Sequence, residues 1–115
     1  MGGAAANVLI VEDESELGKL FEIWLTDRYD VTTVSTGKAA VAALDHPVDI
    51  LILDWRLPDI SGEAIVARTR EADRDIGVAV VTGSKPAAAS ADGVDMVLTK
   101  PITKLELRQA VEELH

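Results

Sequence analysis

The sequence predicts an α/β fold, a doubly wound five-stranded parallel sheet, and three observations carry that expectation. Five short runs are apolar or β-branched, segments of helical periodicity alternate with them, and four runs stop at polar residues able to carry chemistry. Continuous apolar strands belong to sheets covered on both faces. Strands alternating with helices make right-handed βαβ units, and hence a parallel sheet.

The first strand is expected over residues 7–11 (NVLIV), ending at Glu12 and Asp13. Leu17, Leu20, Phe21, Trp24 and Leu25 then recur at helical spacing, with Trp24 read as core. Residues 30–34 (DVTTV) make the second strand, and Thr36 caps an alanine-rich helix to about Asp45. Residues 48–53 make the third strand, ending at Asp54, and Ser61 caps a helix to about Glu71. In that helix Arg68 and Arg70 are read as part of an ordinary solvated face. Residues 76–81 and 94–98 form the last two strands, ending at Thr82 and before Thr99, Lys100 and Pro101. Thr103 and Glu106 then form a T-x-x-E capping box for a final helix with Leu107, Ala110, Val111 and Leu114 on one face. Residues 1–6 are expected to be a loose, disordered tail before a single domain over 7–115.

Composition narrows the functions. The chain has 115 residues, no cysteine and a formal charge of −9. Disulfides, thiolate catalysis and cysteine-ligated zinc are excluded, and a reducing cytoplasm is the expected location. A surface so acidic repels phosphate backbones, so direct nucleic-acid contact by this segment is not expected. Solubility accounts for most of the acid, and adaptation to salt is a second explanation. No apolar run approaches the roughly 18 residues that cross a bilayer, so no membrane association is expected. His46 and His115 sit at a helix end and at the terminus, where exposure is expected.

In open parallel sheets, sites form beyond the carboxyl ends of the strands. Glu12 with Asp13, Asp54, Thr82 and Lys100 end four different strands, so the fold brings them to one rim. Clustered carboxylates resist ionising together and need a positive partner. Oxygen donors without His or Cys suit a hard cation such as magnesium. A lysine supplies a second positive charge and Thr82 a hydroxyl donor. An aspartate beside such a cation can attack phosphorus as a nucleophile.

With these residues in hand, the chain resembles the receiver domains of two-component response regulators along essentially its whole length. The matching pieces are Glu12-Asp13, Asp54-Trp55-Arg56-Leu57-Pro58 with Gly62 beyond, Thr82-Gly83 and Lys100-Pro101. The resemblance implies strand order 2-1-3-4-5 and phosphorylation of Asp54 by a histidine kinase or phosphotransfer protein. It implies magnesium held by Glu12, Asp13, Asp54 and the main-chain carbonyl of Arg56, with no other cofactor. Lys100 pairs with the phosphoryl group, Thr82 swings toward it, and the Lys100–Pro101 bond is cis. The chain acts on itself, through its own phosphorylation and dephosphorylation, and is not a turnover enzyme on an external substrate. A homodimer on activation is within the family's repertoire.

Two departures stand out. Val97 occupies the place of the family's Tyr or Phe, so switching rests on Thr82 and loop movement. Residues 83–93 are too few for a full helix between the fourth and fifth strands, so that helix is expected to be shortened or missing. The usual dimer and output face is then weakened or relocated. Three rival functions compete with this one. A phosphatase of the aspartate-nucleophile type would carry a second aspartate where Arg56 stands, and a nucleotide- or flavin-binding module would need a glycine-rich first turn. A receiver-like interaction scaffold with little or no switching is the alternative; it gives no reason for five retained site residues, but Val97 and the short loop leave it room. The sequence accommodates either a stand-alone receiver or the receiver portion of a longer regulator.

Overall fold

The computed structural model of the chain describes residues 5–83 and 91–115. Five strands form one parallel sheet in the order β2-β1-β3-β4-β5, as expected. They are β1 (Asn7–Val11), β2 (Asp30–Val34), β3 (Ile50–Asp54), β4 (Gly77–Thr82) and β5 (Met96–Thr99). Four helices are present among the described residues: α1 (Ser15–Leu25), α2 (Gly37–Ala43), α3 (Gly62–Ala72) and α4 (Lys104–Leu114). The expectation of a shortened or missing helix between β4 and β5 falls on residues 84–90, outside the described residues. Most of the expected N-terminal tail lies outside them too. Ala6 is buried, and its carbonyl accepts a hydrogen bond from the Asp30 amide at 2.9 Å.

The period-two geometry of the strands sends alternate residues to opposite faces, and both faces are covered. Leu9, Val11, Leu51, Leu53, Val78 and Val80 pack with Ala40, Ile65 and Val66 of α2 and α3. Val8, Ile10, Ile50, Ile52, Ala79 and Val81 pack with Phe21, Leu25, Leu107 and Val111 of α1 and α4. The three central strands are thus apolar on both sides because neither side meets water.

The local signals read from the sequence act as caps. Thr36 accepts from the Ala39 amide, Ser61 from the Ala64 amide, and Thr103 with Glu106 forms the full capping box. The α1 stripe is narrower than expected. Phe21 and Leu25 are buried, whereas Trp24 is only half-buried and Leu20 is 40% exposed. Trp24 still meets the Phe21 ring, at a centroid distance of 5.7 Å.

β5 begins at Met96 and not at residue 94, for a visible reason. Gly93 has φ of +88°, a conformation that suits glycine, and the Asp95 carboxylate takes the Val78 amide at 2.8 Å. A side chain therefore fills the place of a ladder bond. The reading of Arg70 as one of a solvated row is overturned. Its guanidinium is half-buried and donates to the carbonyls of Arg74 (2.8 Å), Ile76 (2.6 Å) and Gly93, and to Asp95 (2.9 Å). Arg68 is exposed, as expected.

Candidate functional site

The sheet's register sets the rim. Val11 of β1 lies beside Leu53 of β3, so Glu12 and Asp54 emerge side by side where the strands end. Asp54 in turn pairs with Val81, and Thr82 with Thr99, which puts Thr82 and Lys100 one step along the same edge. The Lys100 amide donates to the Thr82 carbonyl at 2.9 Å, and the Lys100–Pro101 bond is cis. At the other side of the rim α1 comes close at Gly18, where a Cβ would lie 3.1 Å from Thr33 Cγ2 and 3.7 Å from Glu12 Cβ.

Glu12, Asp13 and Asp54 each place one carboxylate oxygen within 4.8 Å of the other two. Glu12 and Asp54 are buried, at 2% and 5% exposure, while Asp13 faces solvent. Lys100 Nζ bridges the buried pair, 3.3 Å from Glu12 Oε1 and 3.7 Å from Asp54 Oδ2. Among the described residues, one ammonium thus stands against three carboxylates.

The electrostatics record that imbalance. Burial pushes the Glu12 carboxyl up to about 7; the nearby charge of Asp54 adds to this, and the Glu14 amide and Lys100 oppose it. Asp54 is also raised, first by burial and next by the neighbouring Asp13 carboxyl, against the pull of the Arg56 amide. Burial works against the charge of Lys100, but the Glu12 and Asp54 carboxylates outweigh it and its pKa is raised.

The donor set suits a hard divalent cation. Glu12 Oε1 is buried without a hydrogen-bond partner among the described residues, its contact being the ion pair to Lys100 at 3.3 Å. An acceptor oxygen left in that state is costly unless something positive binds it. Three clustered carboxylates with no imidazole or thiolate among them match magnesium chemistry. Arg56, two residues after Asp54, has an exposed side chain, and its amide donates to Asp54 Oδ1 at 3.2 Å.

The residues singled out from the sequence therefore share one rim: Glu12, Asp13 and Asp54 together, Lys100 against Glu12 and Asp54, and Thr82, itself buried, at the adjacent strand end. Two features beside the site were not read from the sequence. The Trp55 ring lies over Gly62, where a Cβ would sit 2.4 Å from Cε3. Asp59 accepts from the Gly37 and Lys38 amides, both at 2.9 Å. The only sequence signal for Asp59 is an acid in the loop after β3, and its partners lie 21 and 22 residues away.

Residues 8–112 match the model of the response regulator receiver domain. A Haloferax volcanii protein is 34% identical over 109 residues, covering 93% of this chain and 19% of that one. The transcriptional regulatory protein GlrR of Escherichia coli K12 is 33% identical over 119 residues, covering 98% of this chain and 27% of that one. The chain thus spans well under half the length of these two relatives. The crystal structure of a response regulator receiver protein from Sinorhizobium medicae superposes with a TM-score of 0.89 at 30% identity, covering 96% of this chain and 94% of that one. No helix among the described residues is long and apolar enough to cross a membrane.

Proposed function

The chain belongs to the response regulator receiver domain family, and from that membership we propose that Asp54 is its phosphoacceptor, in a receiver unit spanning residues 7–115. The observation that most supports this is the meeting of Glu12, Asp13 and Asp54 within 4.8 Å, with Lys100 bridging the buried pair. Glu12, Asp13, Asp54 and the Arg56 main-chain carbonyl would hold magnesium. When bound, magnesium offsets the carboxylate charge and stabilises negative charge on the transferring phosphoryl group.

Asp54 supplies the nucleophile. One carboxylate oxygen forms a bond to phosphorus as the bond from phosphorus to the donor imidazole of a histidine kinase or phosphotransfer protein breaks. The imidazole leaves with the bonding electron pair. Lys100, already between Glu12 and Asp54, turns its ammonium toward a phosphoryl oxygen and keeps the product ion-paired. Thr82 donates its hydroxyl to another phosphoryl oxygen. Val97 is half-buried against the α2–α3 face of the core, so the response rests on Thr82 and the loops. Hydrolysis of the aspartyl phosphate returns the chain to its starting state. The proposal places the protein in the cytoplasm and includes a homodimer on activation.

The test is a magnesium titration followed by beryllofluoride or acetyl phosphate, watched by tryptophan emission from Trp55 at the rim. Saturable changes that need magnesium and vanish in Asp54→Asn are expected. A flat wild-type response defeats the reading.

A further inference from the structure

We infer that Asp59 is a positioning residue for the metal site, tying the loop that carries the Arg56 carbonyl to the N-terminus of α2. The inference rests on the proposed role of that carbonyl as a magnesium ligand.

The α2 helix has seven residues, too short to be stable alone, and its first amides need partners from outside the helix. Thr36 serves two of them locally: its hydroxyl takes the Ala39 amide and its carbonyl the Ala40 amide, each at 3.0 Å. The Gly37 and Lys38 amides go instead to the two oxygens of Asp59. Two amides on one carboxylate fix both its position and its rotation. They also hold the Asp59 carboxyl below its ordinary range, the Gly37 amide contributing most. The approach is close, since a Cβ on Gly37 would lie 2.7 Å from Ile60 Cβ and 3.1 Å from Asp59 Oδ1.

Residues 55–61 link β3 to α3. At one end the Trp55 amide donates to the Val81 carbonyl at 3.0 Å. At the other, Ser61 caps α3 and the Trp55 ring covers Gly62. Between these anchors Asp59 ties the loop to a separate element. Releasing it restores conformational freedom to the backbone around Arg56. Magnesium demands near-octahedral geometry, so a ligand carbonyl that wanders loses affinity. Groups that orient metal ligands typically account for about 10–100-fold in metal affinity.

The test compares magnesium dissociation constants of the whole chain by tryptophan emission and calorimetry, in samples shown to be folded by circular dichroism. Asp59→Ala is expected to bind at least about tenfold more weakly, and Asp59→Asn, which keeps one acceptor oxygen, to fall between it and wild type. Thr36→Ala removes the helix's own cap but leaves the loop tie, so its magnesium constant stays at the wild-type value. A purely structural Asp59 would lower stability without moving the metal constant. Wild-type binding in both Asp59 variants overturns the inference, as does equal weakening in Thr36→Ala. If Asp59→Ala fails to fold, Asp59→Asn decides. A wild type that takes no magnesium overturns the metal site itself and the inference with it. That failure is visible without any Asp59 variant.

Discussion

Replacing Arg70 with methionine tests whether a single side chain organises the approach to β5. Methionine keeps most of the aliphatic stem and removes every donor. The carbonyls of Arg74, Ile76 and Gly93 then lose the guanidinium, and the Asp95 carboxylate loses its ion pair but keeps the Val78 amide. Water can reach the group, because the Arg70 and Asp95 side chains are 22% and 44% exposed. Each of the three carbonyls is therefore assigned about 1 kcal/mol net. The Asp95 ion pair, half open to solvent, adds between 0 and roughly 1 kcal/mol. The expected loss is about 3 kcal/mol. With a urea slope of roughly 1.5 kcal/mol/M, the unfolding midpoint falls by about 2 M. At roughly 4 °C per kcal/mol for a domain of this size, Tm falls by about 12 °C. Arg70→Lys keeps the charge but not the fork, and recovers less than half of the loss. The control is Arg68→Met on the exposed side of the same helix, expected within about 0.5 kcal/mol of wild type. Equal small losses for the two methionine variants would refute the clamp.

Other expectations concern the rim. The Glu12 carboxyl titrates at about 7 in the folded chain against an ordinary 4.5, so the native state holds that proton more tightly than the unfolded one. Its contribution to stability is therefore greatest below 4.5 and is lost as pH rises toward 7 in metal-free protein. Asp59 and Glu106 are lowered, so their contributions are lost at more acid pH, outside this window. Urea midpoints at pH 5 and 8 should converge in Glu12→Gln relative to wild type; an unchanged difference would dismiss Glu12 as the source. Gly62→Ala drives a methyl into the Trp55 ring, 2.4 Å from Cε3, and should cost about 1–3 kcal/mol while shifting tryptophan emission. Unchanged emission and stability would mean that the ring does not depend on that contact.

Much of the molecule was legible because its signals are local. The strand runs stand out as apolar stretches, and the three caps work across three residues: Thr36 to Ala39, Ser61 to Ala64, Thr103 to Glu106. The rim was legible for a related reason. A parallel sheet aligns its strand ends, so residues that end β1, β3, β4 and β5 need only their positions along the chain to be grouped. The α1 stripe was read less well, since periodicity names a face but not how far a neighbour covers it. Hence Leu20 stands 40% exposed and Trp24 half-buried.

By itself, then, the sequence determined the alternation of elements, their caps and the set of residues gathered at the rim. Tertiary structure alone decided that Arg70 turns inward while Arg68 stays in water, and that Asp59 caps a helix 22 residues upstream. It also decided that Trp55 rests on Gly62 and that Glu12 holds its proton up to about 7. Each of these depends on which distant backbone groups, and how little water, surround a side chain once the loops have closed. Spacing along the chain encodes repeats and caps, whereas the partner of a long polar side chain is set by the path of the whole backbone.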